Sequence, residues 1–343
     1  MELTGRQKTL LALIIREHVD STAEVSSKGL REKYALPLSA ATIRNEMAAL
    51  AERGMIRQPH TSAGRVPTEE GYRYFVQQLM GEVELPLAEQ NTISHQFHQA
   101  GPEVSQWMPL AASVLSQHTR GAGLITVPHS NSAYFKHLEL IATQGRQVLM
   151  VLVLTGGEVR QQILSLIESV LQEQLSETAA RLNSTYAGLA ADAIKIAATH
   201  LSTFDQEVSK LIVDLMKPVI AAQTGDIFFD GLSRVLAEPE FANTDAALNA
   251  RRVIEEQAFL KEFLAKVLSP TIGSVQVVIG GEGDWEELRD CSMVLARYGV
   301  NNIATGALGV LGPTRMSYGR AVSTVRYVAE LMTDLMQETY GDS

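Results

Sequence analysis

Residues 39 to 68 read SAATIRNEMAALAERGMIRQPHTSAGRVPT, and this stretch decides how the first part of the chain is organised. Ser39 is a favourable N-cap, because its hydroxyl can accept a hydrogen bond from a free backbone N–H of the first helical turn. Gly54 supplies the left-handed conformation at which many helices stop. The stretch therefore predicts a helix over about residues 40 to 53, followed by two short extended segments.

The predicted helix has one apolar stripe and one face of small and polar residues. Ile43, Met47 and Leu50 recur at helical spacing and form the stripe. Small alanines permit close approach to a groove floor, and the side chains of Arg and Asn have the forked geometry that reads guanine and adenine edges in the major groove. We predict that this face reads DNA, and the alternative is an ordinary amphipathic surface helix. The predicted DNA-binding residues of the helix are Ser39, Ala41, Thr42, Arg44 and Asn45.

A hairpin is predicted directly after the helix. Residues 55–58 and 65–68 are extended in character, and turn-forming residues fill 59–64 between them. Thr4 and Ser27 are expected to cap two earlier helices, so the order matches a winged helix-turn-helix. On the wing, His60, Ser62 and Arg65 are expected to contact phosphates. The alternative is a plain hairpin turn.

Three segments of this region resemble the heat-inducible transcriptional repressor family HrcA. They are TIRNEM at residues 42–47, PHTSAGRVPT at 59–68 and GYRY at 71–74. The resemblance extends to GALGVLGPTRMSY at residues 306–318, whereas the middle of the chain matches only loosely. The resemblance implies a DNA-binding head and a regulatory body.

The middle of the chain alternates between strand and helix patterns. Four β-rich runs between residues 124 and 165 predict one antiparallel meander, helical patterning follows to about residue 267, and strands resume at 274–279 and 303–308. A helical block is thus predicted to interrupt an α/β domain, and the resemblance implies that the domain is GAF-like and that the insert dimerises. We predict an α+β multidomain protein. Its domains are a winged helix-turn-helix at 1–82, a GAF-like domain at 83–185 and 273–343, and a mostly helical dimerisation insert at 186–272.

The charge of the chain is unevenly distributed. The 343 residues carry a net charge of -10, but the first 80 hold 11 Lys and Arg against 9 Asp and Glu, which leaves 18 against 30 for the remainder. An acidic body would be repelled by DNA and would help to orient the head towards it. A single cysteine, Cys291, excludes an intrachain disulfide. The start of the chain lacks an apolar signal core, so we expect a cytoplasmic protein that does not enter a membrane.

Neither an enzyme nor a cofactor site is predicted. The glycine-rich stretches at 280–283 and 306–312 lack the dinucleotide fingerprint and the lysine of a phosphate-binding loop. The carboxylates between residues 282 and 287 have no histidine or nucleophile at a recognisable spacing. The pair His95 and His98 lacks further ligands, so no metal is expected.

The resemblance implies a function for the whole chain. It implies a homodimeric repressor of heat-shock chaperone genes that binds double-stranded DNA at an inverted-repeat operator of the CIRCE type, is released on heat stress and depends on the chaperonin for activity. The uncharged apolar run at residues 148–154 favours a chaperonin client on physical grounds, because such a run aggregates when it is exposed during slow folding. The alternative is a winged-helix regulator whose GAF-like domain senses a small-molecule ligand.

Overall fold

The computed structural model describes all residues except 1, 61–62, 102, 130–133, 156–158, 167–169, 217–225, 243, 282–284, 301–302 and 341–343. Two compact units make up the chain. The first consists of Met1–Val127, Thr224–Val300 and Gly306–Ser343, and the second of Pro128–Gln223 and Asn301–Thr305. The chain therefore combines helices and sheets in two units, and the second unit interrupts the sequence of the first.

The first unit begins with four α-helices, a two-stranded hairpin and a π-helical turn, which we call the head. In chain order its elements are α1 (Gly5–Ser21), α2 (Ser27–Lys33), α3 (Ala40–Glu52), β1 (Ile56–Arg57), β2 (Val66–Pro67), α4 (Glu69–Tyr74) and a π-helical turn (Phe75–Leu79). Their apolar stripes meet in a shared core, because an amphipathic helix must bury its apolar face. The fully buried side chains of that core include Leu10, Leu11, Ile14, Ile15, Ile43 and Leu50.

Side-chain caps define where the helices of the head begin. The hydroxyl of Thr4 accepts the N–H of Gln7 while the Gln7 side chain accepts the N–H of Thr4, which is a capping box. Ser26 caps α2 by accepting the N–H of Gly29 at 3.0 Å. The prediction that Ser27 is this cap was wrong by one residue, since Ser27 is buried as the first helical residue.

The rest of the first unit is a five-stranded sheet with helices on both faces, which we call the body. Its strands are β3 (Ala122–Thr126), β7 (Ile227–Asp230), β8 (Val275–Ile279), β9 (Cys291–Val300) and β10 (Ala304–Pro313), in the spatial order β7-β3-β10-β9-β8. Its helices are α5 (Leu87–Gln99), α6 (Val104–Thr119), α10 (Leu232–Leu236), α11 (Thr244–Glu255), α12 (Gln257–Val267) and α13 (Tyr318–Tyr340), with 3-10 turns at Pro239–Ala242 and Glu286–Leu288.

Alternate residues of β9 show which helices cover each face of the sheet. Cys291 and Met293 belong to one core with side chains of α10 to α12. On the other face, Ser292 and the Tyr318 hydroxyl of α13 lie 2.8 Å apart. Because Cys291 is completely enclosed, burial raises the pKa of its thiol to about 12, as expected for an unreactive structural cysteine.

The second unit has a sheet of its own. Strands β4 (Phe135–Ala142), β5 (Gln147–Leu154) and β6 (Val159–Ser165) pair antiparallel in that order, and α7 (Gln172–Tyr186), α8 (Ala191–Ala198) and α9 (Thr203–Met216) share a buried core with them. Within this core, Arg181 makes two hydrogen bonds to the carboxylate of Asp205, at 3.0 and 3.1 Å. That carboxylate is nearly inaccessible to solvent, so its charge requires such a partner.

The pairing of β3 differs from the sequence-based expectation. The meander predicted between residues 124 and 165 was wrong in its first strand, because β3 pairs with β7 and β10 and not with β4. The second compact unit also shares only residues 186–223 with the predicted insert at 186–272. Helices α10 to α12, which fall in the remainder of that predicted insert, pack on the sheet of the first unit.

Among the residues that the structure describes, no helix has both the length and the apolar character required to cross a membrane.

Candidate nucleic-acid interface

Helix α3 has well-defined ends. The Ser39 hydroxyl accepts the N–H of Thr42 at 3.0 Å, which confirms the predicted N-cap. At the other end, Gly54 has a φ of +73°, and Met55 donates its N–H to the carbonyl of Leu50. These bonds satisfy backbone groups that a helix end otherwise leaves free, so the helix is fixed in length.

The face of α3 opposite the core is exposed. Ser39, Ala41, Arg44 and Asn45 are exposed, and Thr42 is half-buried beside them. Within the described part of the chain, no hydrogen bond or ion pair occupies the side chains of Arg44 and Asn45. The structure therefore brings all five predicted residues of this helix onto one accessible surface, with two forked polar groups available to a ligand.

Glu46 is the acidic residue nearest to this surface on α3, and sequence reasoning missed what holds it. Arg6 donates from Nη1 to one of its carboxylate oxygens at 3.2 Å, and Gln7 donates from Nε2 to the other at 3.1 Å. Gln7 also completes the capping box of α1. The sequence pattern indicated that capping role but not its second contact with Glu46. The negative charge of Glu46 is thereby drawn towards α1 and away from the exposed face.

The hairpin that follows α3 pairs Arg57 with Val66. At its tip, Ala63 donates its N–H to the carbonyl of His60, and the His60 side chain is exposed. Arg65, at the base, is half-buried. The third predicted wing residue, Ser62, lies outside the described residues.

A segment between α1 and α2 pairs with the hairpin as an additional short strand. The sequence patterns did not indicate this pairing. Val25 and Arg65 exchange two backbone hydrogen bonds of 2.9 Å, so they form an antiparallel bridge. Next to it, the backbone N–H of Gly64 donates to the Glu24 carboxylate at 2.9 Å. The only sequence signal was a glycine in the hairpin, which is typical of close backbone approach.

The head meets the body of the first unit at α4. The rings of Tyr72 and Tyr318 lie with their centroids 5.8 Å apart, and both side chains are buried. Tyr72 comes from the segment at residues 71–74 and Tyr318 from the segment at 306–318. Two segments that carry the family resemblance are therefore packed against each other.

Comparisons with known proteins agree with these features. A family model described as the HrcA protein C-terminal domain matches residues 105–322. A heat-inducible transcription repressor HrcA from Roseiflexus castenholzii is 41% identical over 348 residues, covering 99% of this chain and 96% of the relative. A repressor of the same name from Dehalococcoides mccartyi is 36% identical over 339 residues, covering 99% and 97%.

One solved structure extends the comparison to the fold. The crystal structure of a hypothetical protein matches with a TM-score of 0.57 and 22% identity, covering 98% of each chain, which shows a shared overall fold. The sequence relatives cover the whole chain at an identity that shows common ancestry. The chain belongs to the HrcA family, which consists of heat-inducible transcription repressors and not of enzymes.

Proposed function

We propose that the head is a winged helix-turn-helix and that α3 reads base edges in the major groove of an operator. The observation that carries this proposal is the exposed face of α3. On this face, Arg44 and Asn45 have no hydrogen-bond or ion-pair partner among the residues that the structure describes, while Ile43 and Leu50 on the opposite side are fully buried. Arg pairs with guanine and Asn with adenine through two hydrogen bonds each. The small Ala41 side chain leaves room for the groove floor.

The wing has a different role in this proposal. His60, Ser62 and Arg65 contact the phosphate backbone and so position the head without reading sequence. The exposed side chain of His60 supports this role. The small positive charge of the first 80 residues, compared with the acidic remainder, favours approach to DNA through the head.

The protein acts as a homodimer on an inverted repeat, and the second unit carries the dimer surface. The outer face of its sheet is unusually apolar, because Ile141, Leu149 and Ile163 lie side by side in register on adjacent strands. Ile163 is 64% exposed and Val159 on the same strand is 52% exposed. Exposed apolar patches of this kind mark protein–protein contacts. A two-fold dimer would present two heads to two half-sites.

The body is GAF-like, and we favour regulation without a small-molecule ligand. A central antiparallel sheet between two helical layers supports the GAF-like assignment. On the face covered by α10 to α12, Phe263 and Leu260 are fully buried and Trp285 packs at 5.0 Å from the Phe263 ring. This tight packing weighs against the alternative of a ligand-sensing domain, since a ligand would have to displace buried aromatic side chains.

The relatives also bear on which genes the protein regulates. Their names describe heat-inducible transcription repressors, which supports a cytoplasmic repressor of heat-shock chaperone genes that binds a CIRCE-type operator. Loss of chaperonin support on heat stress would release it. A footprint of the purified protein across its own genome tests the function directly. We expect protected inverted repeats upstream of chaperone genes, and protection confined to other promoters or a lack of protection would contradict the proposal.

A further inference from the structure

Glu24 is an unexpected residue beside the wing. It precedes Val25, the residue that pairs with Arg65, and its carboxylate accepts the backbone N–H of Gly64 at 2.9 Å. A negative charge next to a surface that contacts phosphates opposes DNA binding through simple repulsion. We therefore expect a favourable contribution of the Glu24 carboxylate that exceeds this repulsion.

Gly64 gives independent support for a close contact at this point. A Cβ atom added at Gly64 would lie 2.8 Å from the Val25 carbonyl oxygen and 2.9 Å from the carbonyl carbon of Glu24. A separation below 3.0 Å from backbone atoms cannot be accommodated without a shift of the chain. The hairpin thus approaches the segment before α2 as closely as its backbone permits, and the approach places the Gly64 N–H within reach of the Glu24 carboxylate.

We propose that Glu24 is a positioning residue for the wing, which it holds through the Gly64 N–H at the angle needed for phosphate contact. The Val25–Arg65 bridge fixes the base of the hairpin. Glu24 fixes Gly64, the tip residue next to that bridge. Without Glu24, the tip that carries His60 would lose a restraint while the head would keep its core. The inference rests on the proposed function, because it assigns a role within the same DNA interface.

Two kinds of variant separate the hydrogen bond from the charge. Glu24→Gln keeps an acceptor oxygen and removes the charge, whereas Glu24→Ala removes both. Gly64→Ala keeps the backbone N–H, but its Cβ would push the hairpin away from Glu24 and Val25 and so disturb the same contact from the opposite side. We expect Glu24→Ala and Gly64→Ala to weaken operator binding about twofold to tenfold, the range of one hydrogen bond, and Glu24→Gln to bind at least as tightly as the unaltered protein.

A double-mutant cycle distinguishes positioning from a general loss of stability. The full-length protein is titrated with operator DNA, with and without Glu24→Ala, and with and without a wing variant that carries His60→Ala and Arg65→Ala. Thermal melting verifies that each variant is folded. If Glu24 positions the wing, the wing substitutions will weaken binding by a smaller factor in the Glu24→Ala background than in the unaltered or Glu24→Gln background.

Three outcomes of the Glu24 variants would overturn the inference. They are operator binding by Glu24→Ala equal to that of the unaltered protein, a Glu24→Gln variant as weak as Glu24→Ala, and a wing penalty that is the same in both backgrounds. A wing variant that binds as tightly as the unaltered protein would also overturn it, because the wing would then have no contact to position. Arg44→Ala, measured in parallel, reports on the proposed function itself: if this variant also binds normally, the interface as a whole has been misassigned.

Discussion

Arg73 of the head donates a hydrogen bond from Nη2 to the backbone carbonyl oxygen of Ile279 in the body, at a distance of 2.9 Å. The same guanidinium contacts the carboxylates of Glu69 and Glu70 at 3.2 and 3.3 Å. A charged donor on a backbone carbonyl makes one of the stronger hydrogen bonds in proteins. Together with the packing of Tyr72, this bond attaches the head to residues about two hundred positions later in the chain.

This attachment predicts how the isolated head behaves. A fragment of residues 1–82 keeps the core around α1 and α3, so we expect it to fold, as circular dichroism would show. It should melt at a lower temperature than the head in the full-length protein, because Tyr72 is only 3% exposed in the full-length structure and would become solvent-accessible.

The same fragment should bind operator DNA poorly. One half-site supplies too few contacts to compete with nonspecific DNA, so we expect affinity to recover in part when the fragment is fused to an unrelated dimeriser. Fluorescence anisotropy with a labelled operator measures both forms. Tight operator binding by a fragment that sedimentation shows to be monomeric would remove the need for the rest of the chain.

Removal of the wing arginine should affect all DNA sequences alike. We expect Arg65→Ala to weaken binding to operator and scrambled DNA by a similar factor, and to reduce the slope of log affinity against log salt by about 1, because one phosphate contact is lost. Arg251→Ala is a matched control, since it removes the same charge from an exposed position on α11 of the body. A selective loss of operator binding by Arg65→Ala would assign base reading to the wing.

A substitution on the apolar sheet face of the second unit can test whether this face forms the dimer interface. Ile163→Glu places a charge on that face, on the edge strand β6 opposite Leu149. A two-fold interface would contain the substitution twice, so we expect the dimer dissociation constant to rise by at least about tenfold. Leu87→Glu is the control, because this residue is 75% exposed on α5 of the body and lies outside both the sheet of the second unit and the predicted insert. Analytical ultracentrifugation separates the outcomes. A stable Ile163→Glu dimer would place the interface elsewhere.

Chaperonin dependence is predicted from the topology as well as from the family. In the body, β3 pairs with β10, about 180 residues later, and contacts between such distant segments slow folding. Meanwhile the apolar strand β5 of the second unit, at Gln147–Leu154, remains exposed to aggregation. We expect refolding with chaperonin and ATP to raise the fraction that binds operator, increasingly so at higher temperature. Equal yields with and without chaperonin across temperatures would assign heat sensing to the protein's own melting or to a ligand.

Local sequence signals predicted the head accurately. The cap at Ser39, the stop at Gly54 and the apolar stripe of α3 depend on residues within one or two helical turns, and the structure has the helix at Ala40–Glu52. The short strands of the hairpin and the outward orientation of Arg44 follow from the same local rules. What the patterns could not supply was Glu24, because its partner Gly64 is 40 residues away and nothing local marks an anchoring carboxylate.

The body was predicted less well, for physical reasons. Strand β9 was missed, because it is covered on both faces and its side chains show no alternation of apolar and polar residues. β3 was assigned to the wrong sheet, since the pairing of strands depends on long-range packing that a β-rich composition does not encode.

The central claim is that α3 reads sequence through Arg44 and Asn45. Its most direct test is the ratio of operator affinity to scrambled-DNA affinity for the unaltered full-length protein, for Arg44→Ala and for Asn45→Ala, all at one salt concentration. We predict that each substitution lowers specific binding by roughly 1 to 3 kcal/mol and reduces this ratio, because each removes a bidentate base contact. An unchanged ratio in both variants would contradict the assignment of α3 as the reading helix.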